Sequence, residues 1–486
     1  MDQAPPNYTD ENYRQAYNQN RKSFWQKVAA SSAKGGRLGH RIYLSHIKRI
    51  YSRLISPGQK VLELGCGQGD LLASLKPSVG LGVDFCPEMI EQARERHPEC
   101  NFLCADAQEL NLEGLTFDYI ILSDLVNDLW DVQEVLKKLR PACHPRTRII
   151  LNFHSRLWAA PLAVVRALGL AQPLLTQNWF TAPDAVNLLD LAGYQSFRTW
   201  MELLWPMPGS APNWLFNRVL ARIWPFKYLA LCNFVMARPA PAKPMEKEPV
   251  VSVIIASRNE AGNIDGLMRR TPEMGAGTEL IFVEGHSTDD TWGAIQKALE
   301  DHPHRRAKAY QQTGVGKGDA VRLGFDKAEG DLYMIMDADL TFPPENLTRF
   351  YDAWYSGKGE YINGVRLVYP MEDKAMRPIN FLGNKFFSLA FSWCLEQPIK
   401  DTLCCTKVLS RRDYEFIAAN RSYFGDFDPF GDFDIIFGAA KQNMKMVDLP
   451  IRYRERLYGS TNISRWSHGW LLIKMLWIGL KKLKFV

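Results

Sequence analysis

Two aspartates, one residue apart, follow a short apolar segment in the second half of the chain. Tyr333–Met336 is apolar and too short for a helix, which favours a buried strand, and Asp337 and Asp339 follow where that strand would end. In open α/β sheets, ligands bind at the carboxyl ends of the strands. Adjacent carboxylates repel each other unless a cation lies between them, and Mg²⁺ or Mn²⁺ prefers oxygen ligands. The segment therefore predicts a cation site, although alone it is also typical of a strand followed by a helix-capping aspartate.

Polar residues at the ends of two earlier predicted strands are expected at the same edge of the sheet as the two aspartates. The segment VVSVIIASRNEAGNI places Ser257 and Glu260 after one strand, and ELIFVEGHSTDDTW places Glu284 at the end of the next. The segment GVGKGDA is a glycine loop that carries Lys317 into a helix. A lysine and a divalent cation together offset the charge that builds on a leaving diphosphate. With these neighbours, the two aspartates are predicted to form a metal and diphosphate site.

The order of these segments resembles that of the inverting family 2 glycosyltransferases, which have the GT-A fold. The stretch GKGDAVRLGFDKAEGDLYMIMDADLTFPP is most similar to the dolichyl-phosphate and polyprenyl-phosphate glycosyltransferase branch of that family. The resemblance implies transfer of a hexose from a nucleotide-sugar donor with Mg²⁺ or Mn²⁺. By position it implies these contacts: Ser257 and Glu260 with the nucleobase, Glu284 with the base or ribose, Lys317 with the diphosphate, Asp337 and Ala338 with the donor, and Asp339 with Asp337 and Thr341 at the metal.

Two departures from that branch concern the donor and the metal. The chain has Glu284-Gly285 where the branch usually carries aspartates, so the choice of nucleotide stays open. Thr341 stands where the branch often has glutamine. A threonine hydroxyl is the weaker metal ligand, so we expect a more loosely held or more hydrated ion.

Two later segments concern the acceptor. In GDFDPFGDFDIIFGAAK, Asp432 and Asp434 lie where hydroxyl-acceptor members of the family hold a catalytic aspartate, and they are equally typical of helix caps. A hydroxyl acceptor needs a general base, whereas a lipid phosphate is already anionic and does not. The segment IRYRERLYGSTNISR supplies four candidates for phosphate contacts: Arg452, Arg454, Arg456 and Ser460. Arginine suits bidentate phosphate contacts. The alternative is that this segment forms a solvated face.

A different set of motifs occupies the first half of the chain. VLELGCGQGD is an apolar strand that runs into a glycine-rich turn, and later predicted strands end at Asp84 and Asp106. Regular alternation of strands and helices predicts a doubly wound parallel sheet. Glycines let the backbone pass close to a ligand, and an acidic residue after the second strand is placed to accept hydrogen bonds from ribose hydroxyls.

Three of these motifs, ELGCGQGD, GVDFCPEMIEQARER and CADAQEL, resemble those of class I S-adenosylmethionine-dependent methyltransferases over residues 40–200. His154, after the fifth predicted strand, fits a general base or a strand cap. The alternative for the whole domain is a scaffold that binds no cofactor. The resemblance implies S-adenosylmethionine as cofactor with these contacts: Glu63, Gly65, Gly67, Gly69, Asp84, Phe85, Asp106 and Ala107.

The motifs and the two resemblances predict two α/β domains, both doubly wound, and the length of the chain agrees. The chain has 486 residues, of which 46% are hydrophobic and 23% charged, as in globular proteins with two or three domains. A Pro-rich segment, PAPAKPMEKEP, marks the boundary between them. We expect these divisions: an N-terminal arm over 1–40, a methyltransferase domain over 41–238, a linker over 239–249, a glycosyltransferase domain over 250–465 and a basic amphipathic tail over 466–486.

Charge and cysteine usage predict the compartment and the partners. From Lys445 to Val486 the chain holds nine Lys or Arg against two acidic residues, which indicates a phosphate-bearing or membrane-surface partner rather than nucleic acid. Nine cysteines without a CxxC pair indicate reduced thiols. Without a signal-like start or an apolar run of about 18 residues, we expect a cytoplasmic protein, peripheral on the inner face of the membrane. Interfacial helices at Ile379–Pro398 and Trp466–Val486 would make that contact, unless both pack on the fold.

The sequence thus predicts a bifunctional enzyme. One half would transfer a hexose to a polyprenyl phosphate, and the other would methylate a related glycan or lipid. Two alternatives remain open at this point. The acceptor could be a sugar hydroxyl in a cell-surface polysaccharide, or one domain could be a non-catalytic binding module.

Overall fold

The chain divides into two compact units, Met1–Ala240 and Pro241–Val486. The boundary falls within the Pro-rich segment at 239–249. The computed structural model describes residues 10–32, 38–167, 175, 177–207, 209–241, 247–366, 368, 378–424, 431, 433–453, 456, 458 and 465–485.

The first unit is built on one seven-stranded sheet of order β3-β2-β1-β4-β5-β7-β6. Strand β7 runs antiparallel to both of its neighbours, and the other described pairings are parallel. This arrangement confirms the predicted doubly wound parallel sheet, in which β7 runs against its two neighbours. The strands are β1 Lys60–Leu64, β2 Val79–Asp84, β3 Asn101–Cys104, β4 Phe117–Ser123, β5 Cys143–His154, β6 Tyr194–Glu202 and β7 Cys232–Pro239.

Alternating side chains of the central strands enter two separate cores, so both faces of this sheet are covered. Ile120 and Leu122 join one core, whereas Tyr119 and Ile121 join the other. Such strands read as continuous apolar runs in the sequence, because neither face meets water. The helices of the unit are α1 Asp10–Ser32, α2 Leu38–Leu54, α3 Asp70–Ser74, α4 Pro87–Arg96, α5 Val132–Lys138, α6 Ala159–Ala167, α7 Ala182–Leu191 and α8 Ser210–Asn213.

Helix α1 corrects the expectation of a loose arm over the first residues of the chain. Its described part packs through Phe24 and Trp25 against a small buried cluster that contains Cys86 and Met89. Polar composition alone suggested an arm, but a few apolar residues on one face suffice to dock the helix. Residues 10–32 therefore belong to the first domain.

The second unit contains another seven-stranded sheet, of order β10-β9-β8-β11-β13-β12-β14. Strand β13 is antiparallel to β11 and β12, and the remaining described pairings are parallel. The strands are β8 Val251–Ser257, β9 Thr278–Glu284, β10 Ala307–Gln311, β11 Leu332–Asp337, β12 Tyr361–Val365, β13 Lys407–Ser410 and β14 Met446–Pro450.

This sheet is also covered on both faces, which confirms the predicted α/β class for the second unit. Tyr333 and Ile335 of β11 enter one core, and Met334 and Met336 enter the other. Among the described residues, no helix has both the length and the apolar character needed to cross a bilayer. The helices are α9 Ile264–Arg270, α10 Thr291–Asp301, α11 Lys317–Lys327, α12 Leu347–Tyr355, α13 Pro378–Leu395, α14 Arg411–Ala419, α15 Phe433–Lys441 and α16 Arg465–Gly479.

Two helical glycines should respond oppositely to the same substitution. A Cβ at Gly324 of α11 would lie 2.4 Å from Ile254 Cγ2, so Gly324→Ala must push the helix off β8. A Cβ at Gly383 of α13 would meet nothing within 4 Å. We expect Gly324→Ala to lower the free energy of unfolding by about 1–3 kcal/mol. Gly383→Ala should raise it by about 0.5–1 kcal/mol, because alanine loses less backbone entropy in a helix. Urea denaturation of the full chain measures both, and equal signs would contradict the close packing of α11 on β8.

Candidate functional site

The carboxyl edge of the second sheet brings together residues from three neighbouring strands. Asp337 ends β11 and pairs with Ala256 of β8, whereas Ser257 of β8 pairs with Glu284 of β9. Parallel strands end at the same edge, so Ser257, Glu284 and Asp337 lie side by side, as the sequence predicted. The polar turns that follow these strands build the rest of the site.

Asp337 is held by the lysine of the glycine loop. Lys317, the first residue of α11, donates from Nζ to Asp337 Oδ1 at 2.9 Å. Burial raises the pKa of Asp337, but the charge and hydrogen bond of Lys317 outweigh it and bring the pKa below its usual range. Asp337 is therefore ionised at neutral pH.

Asp339 is buried and carries three hydrogen bonds. Its Oδ1 accepts from the backbone N–H of Thr341 at 3.1 Å and from the Thr341 hydroxyl at 2.6 Å. Its Oδ2 accepts from Arg456 Nη2 at 2.7 Å. Burial, followed by the nearby charge of Asp337, raises the pKa of Asp339. Two carboxylates at this edge thus each hold a cationic side chain from another part of the domain.

Arg456 also joins Asp339 to the polar turn after β8. Its Nη1 donates to Glu260 Oε1 at 2.8 Å, and Asn263 Nδ2 donates to Glu260 Oε2 at 2.7 Å. Burial raises the pKa of Glu260 to about 7, although the positive charge of Arg456 lowers it. Arg456 therefore bridges two acidic side chains, Glu260 and Asp339.

Glu284 and Ser257 take part in the hydrogen bonds of their own turns. The backbone N–H of Ser287 donates to Glu284 Oε1 at 2.6 Å, and the N–H of Gly285 donates to the Ser257 carbonyl at 2.9 Å. His286 Nε2 lies 2.9 Å from the carbonyl oxygen of Gly314, which ties this turn to the glycine loop. These bonds fix the turns that surround the carboxylate pair.

Sequence reasoning missed an ion pair beside this site. Arg366, directly after β12, donates to Asp401 Oδ2 at 2.7 Å and to Asp401 Oδ1 at 2.9 Å. The guanidinium lies 5.2 Å from the ring centroid of Tyr453, and its charge lowers the pKa of Asp337. Arg366 and Asp401 lie 35 residues apart in sequence and belong to no motif, so no sequence pattern could have paired them.

The structure places Asp434 in a network of arginines. Its Oδ2 accepts from Arg421 Nε at 3.0 Å and lies 3.5 Å from Arg322 Nε. Gly431 packs tightly against α11, since a Cβ there would lie 2.6 Å from Gly318 Cα. Gly431, two residues before α15, therefore contacts the helix that begins at Lys317.

Three predicted site residues, Asp432, Arg454 and Ser460, lie outside the described residues. Arg452 is exposed and follows the end of β14 at Pro450. Arg452 therefore lies outside that strand. Of the two phosphate candidates that the structure describes, Arg452 and Arg456, the second contacts the carboxylate pair.

In the first domain, the glycine-rich turn after β1 forms an open cradle. Gly65, Gly67 and Gly69 have φ angles of 68°, 51° and 76°, in the left-handed region that favours glycine. The backbone N–H of Gly67 donates to Asp84 Oδ2 at 2.9 Å, and a Cβ at Gly67 would meet nothing within 4 Å. Asp84 Oδ1 accepts from the N–H of Cys86 at 2.9 Å. The turn thus leaves space for a ligand beside the carboxylate at the end of β2.

Glu63 lies under this cradle. The side chain is 3% exposed, and its Oε2 atom has no hydrogen-bond partner among the described residues. Burial raises the pKa of Glu63 to about 8, and the charges of Asp84 and Asp70 add to that effect. A buried carboxylate oxygen without a partner fits a ligand that brings its own hydrogen-bond donor or positive charge.

The turn after β3 completes this edge and receives a side chain from α1. Asp106 Oδ1 accepts from the N–H of Gln108 at 2.8 Å, and Asp106 Oδ2 accepts from Asn18 Nδ2 at 3.1 Å. Ala107 packs partly buried against the core, whereas Phe85 is half-buried directly after Asp84. Asn18 was missed because its segment was expected to be a loose arm.

A buried polar network lies at the ends of β4 and β5. Tyr43 of α2 donates to Asp124 Oδ2 at 2.7 Å, and Asn152 Nδ2 donates to Asp124 Oδ1 at 2.9 Å. The rings of Tyr43 and His154 lie 5.7 Å apart, and His154 Nδ1 is buried without a hydrogen-bond partner among the described residues. Tyr43 was missed because it belongs to no motif and reaches Asp124 across 81 residues of sequence.

Two protein-family models match parts of the chain. Residues 61–146 match the model described as a methyltransferase domain, and residues 252–416 match glycosyl transferase family 2. The two families predicted from the sequence motifs are confirmed.

Individual relatives match the second half over shorter lengths. Dolichol-phosphate mannosyltransferase of Pyrococcus furiosus is 34% identical over 124 residues, which are 24% of this chain and 35% of that protein. Undecaprenyl-phosphate 4-deoxy-4-formamido-L-arabinose transferase of Pseudomonas aeruginosa is 32% identical over 112 residues, 22% of this chain and 33% of that protein. The chain spans about a third of the length of these curated relatives. A solved SAM-dependent methyltransferase of Thermotoga maritima, a possible histamine N-methyltransferase, has 17% identity and a TM-score of 0.33, covering 45% of this chain and 96% of that one.

The raised pKa of Glu63 predicts a pH-dependent stability. Between its ordinary pKa of 4.5 and the folded value of about 8, the unfolded chain has ionised Glu63 while the folded domain keeps the proton. The contribution of Glu63 to the free energy of unfolding should then fall by about 1.4 kcal/mol per pH unit as pH rises. Glu63→Gln cannot ionise, so its stability should decline less steeply with pH.

Hydrogen exchange of peptides from the first domain, followed through a urea series between about pH 5 and pH 8, measures this slope. Exposed Glu95 on α4 offers a matched control, since Glu95→Gln should keep the slope of the parent. Identical slopes for the parent and Glu63→Gln would contradict a protonated Glu63 in the folded domain.

Proposed function

Since the chain carries a methyltransferase domain followed by a family 2 glycosyltransferase domain, we propose that it is a bifunctional enzyme. The second domain transfers a hexose from a nucleotide-sugar to a polyprenyl phosphate, with inversion at the anomeric carbon. The first domain methylates a related glycan or lipid with S-adenosylmethionine. The observation that carries the glycosyl-transfer proposal is the pair of carboxylates at the sheet edge, Asp337 and buried Asp339, with Lys317 and Arg456 bound to them.

The donor lies along the carboxyl edge of the second sheet. Ser257, Glu260 and Glu284 surround the nucleobase and ribose, and Asp337 with Ala338 faces the sugar diphosphate. The pairing of β8, β9 and β11 supports this assignment, because it brings these strand ends together. The hydrogen bonds that fix the turns supply a rigid lining before any donor arrives.

A divalent cation fits the carboxylate pair in chemical kind. Asp339, with Asp337, offers the hard oxygen ligands that Mg²⁺ and Mn²⁺ prefer, and Thr341 orients Asp339. Among the described residues, no group of three or more His, Cys, Asp or Glu side chains could hold a metal. An ion held by one or two carboxylates and completed by substrate phosphates agrees with that finding. When bound, the ion supplies positive charge beside the leaving diphosphate.

Lys317 and Arg456 supply the remaining positive charge for bond breaking. As the sugar–phosphate bond breaks, negative charge builds on the leaving diphosphate. Arg456, bound to Glu260 and Asp339, would turn to that diphosphate if a divalent cation took its place on Asp339, and Lys317 at the start of α11 would add its charge. The polyprenyl phosphate attacks from the opposite face of the sugar, and it needs no general base because its oxygen is already anionic.

Two observations support a lipid acceptor. The names of both curated relatives include a polyprenyl-type phosphate, dolichol-phosphate or undecaprenyl-phosphate. In addition, α13 and α16 pack together through Phe391 and Leu472, yet expose apolar side chains on their outer faces. Trp470 is 71% exposed and Trp477 is 67% exposed. We infer that this outer face contacts the headgroup layer of a membrane, as interfacial helices do. Lys484 does not take part, because it is buried and paired with Glu396.

A sugar hydroxyl is the second candidate acceptor. The contact of Gly431 with Gly318 supports a hydroxyl acceptor, because it brings the start of α15 close to α11, the helix that carries Lys317. Asp434 is the described candidate for the base, and burial raises its pKa, although Arg421 and Arg322 favour its ionised form. Asp432 is the other candidate from the sequence. Asp434→Asn distinguishes the acceptors, since a base is needed for a hydroxyl and not for a phosphate.

In the first domain, S-adenosylmethionine fits the edge of β1, β2 and β3. Glu63 and the glycine turn at Gly65, Gly67 and Gly69 line its methionine part. Asp84, followed by Phe85, would accept from the ribose hydroxyls, and Asp106 with Ala107 would flank the adenine. The partnerless Oε2 of Glu63 supports this fit, because the cofactor carries a positively charged amino group. When bound, the cofactor supplies the activated methyl group.

A transfer assay tests the glycosyltransferase half. The full chain is incubated with a panel of nucleotide sugars, Mg²⁺ or Mn²⁺ and polyprenyl phosphate, and glycolipid is detected by mass spectrometry. We expect glycolipid with one donor, and a loss of about 10²–10³ in kcat/KM for Asp339→Asn and for Lys317→Met, since each removes an electrostatic contact with the developing charge. Exposed Asp326 lies on the same helix as Lys317, so Asp326→Asn serves as the control.

No glycolipid with any donor would overturn the proposed acceptor. Full activity in Asp339→Asn would overturn the proposed role of the carboxylate pair, even if glycolipid forms.

A further inference from the structure

A basic cavity lies in the first domain, apart from the cradle at Gly65 and Gly67. Its volume is about 230 Å³, and it lies between α2, the end of β6 and the helical segment 213–222. That space is large enough for a phosphate group and part of the molecule that carries it. Its charged and titratable lining residues are His46, Arg49, Arg53, Arg218, Arg222 and Glu202.

Positive charge dominates the lining of this cavity. Four guanidinium groups face one carboxylate, Glu202, whose Oε1 lies 3.5 Å from Arg222 Nη2. Burial lowers the pKa of Arg53 to about 10, and the charges of Arg222, Arg49 and Arg218 lower it further, against the opposite effect of Glu202. Burial of His46 lowers its pKa as well, and the charges of Arg49 and Arg53 add to that effect. These groups are close enough to repel one another, and an anion placed among them would relieve that repulsion.

The cavity lies at the same sheet edge as the proposed methyl transfer. Cys232 of β7 pairs with His154 of β5 on one side and with Glu202 of β6 on the other, so these residues share one level of the sheet. Helix α2 spans the same distance, because Tyr43 contacts Asp124 and His46 lines the cavity one turn later. A molecule whose phosphate lies in the cavity would therefore extend along the edge toward Asp124 and His154.

We propose that this cavity binds the phosphate group of the molecule that the first domain methylates. The inference rests on the proposed methyl transfer and adds the class of acceptor, a phosphate-bearing compound. Guanidinium groups bind phosphate oxygens in bidentate fashion, which suits a cavity lined by four of them. Trp214, which lines the cavity and is more than half exposed, offers an apolar contact to the part of the ligand beyond the phosphate.

Isothermal titration calorimetry tests the binding site directly. Pyrophosphate and inorganic phosphate are titrated into the full chain with EDTA present, so that metal-dependent binding in the second domain is suppressed. We compare the parent with Arg49→Gln and Arg53→Gln, and use Arg41→Gln, on the exposed face of the same helix, as the control. We expect Kd to rise at least about tenfold in the two cavity variants and to stay unchanged in the control. Kd should also rise with salt, since charged contacts are screened.

Thermal unfolding separates a binding role from a structural one. Arg49→Gln and Arg53→Gln should each unfold at about the temperature of the parent if these arginines serve binding rather than folding. Loss of anion binding without loss of stability supports the site. Absence of phosphate and pyrophosphate binding in the parent, or equal binding in the parent and both cavity variants, would overturn it.

Two further titrations identify the source of the phosphate. They also separate a failure of this inference from a failure of the proposed methyl transfer. Polyprenyl phosphate in detergent micelles and a soluble hexose 1-phosphate each compete with pyrophosphate if they enter the cavity, and the tighter competitor names the source. S-adenosylmethionine should bind the parent and Arg53→Gln equally. If the cofactor binds and no phosphate compound does, the inference about the acceptor fails alone. If the cofactor does not bind the parent, the proposed methyl transfer fails, and the acceptor role of the cavity fails with it.

Discussion

Two carboxylates one residue apart, one of them buried, must be compensated by positive charge, and this constraint organises the second domain. Lys317 compensates Asp337 and Arg456 compensates Asp339, yet the two cations come from segments about 140 residues apart. Helix α11 must approach β8 closely enough to bring Lys317 to the edge, which Gly324 permits. The segment after β14 must return to the same edge to supply Arg456. Carboxylates that hold two cationic side chains also have the charge to bind a metal ion together with an anionic diphosphate.

In the first domain, backbone N–H groups rather than salt bridges stabilise the carboxylate at the end of β2. Its glycine turn adopts left-handed angles and leaves open space at Gly67, and Asp84 fixes the turn through two backbone N–H groups. Glu63 beneath the turn is kept protonated by burial instead of being paired. Both domains thus concentrate chemistry at the carboxyl edge of a parallel sheet, where polar turns meet strands that are buried on both faces.

The sequence predicted most of the framework, because buried parallel strands appear as short apolar runs that end in polar turns. Asp337, Glu284 and Ser257 were predicted at one edge for that reason, and the pairing of β8, β9 and β11 agrees. What could not be predicted is pairing between distant residues outside motifs. The arginine segment suggested phosphate contacts, but nothing in it indicated that Arg456 rests on Asp339 and Glu260. Arg366 with Asp401 and Asn18 with Asp106 depend on tertiary packing in the same way.

Arg456 is bound to Asp339, where we propose that a divalent cation would be held with Asp337. Mn²⁺ binding, measured by electron paramagnetic resonance in the parent and in Arg456→Gln, tests it most directly. Removal of the competing guanidinium should tighten Mn²⁺ binding by about tenfold, equivalent to roughly 1.4 kcal/mol. Nucleoside diphosphate binding in the presence of Mn²⁺ should weaken in the same variant, because the arginine then contacts the phosphates. Weaker or unchanged Mn²⁺ binding in Arg456→Gln would contradict the claim.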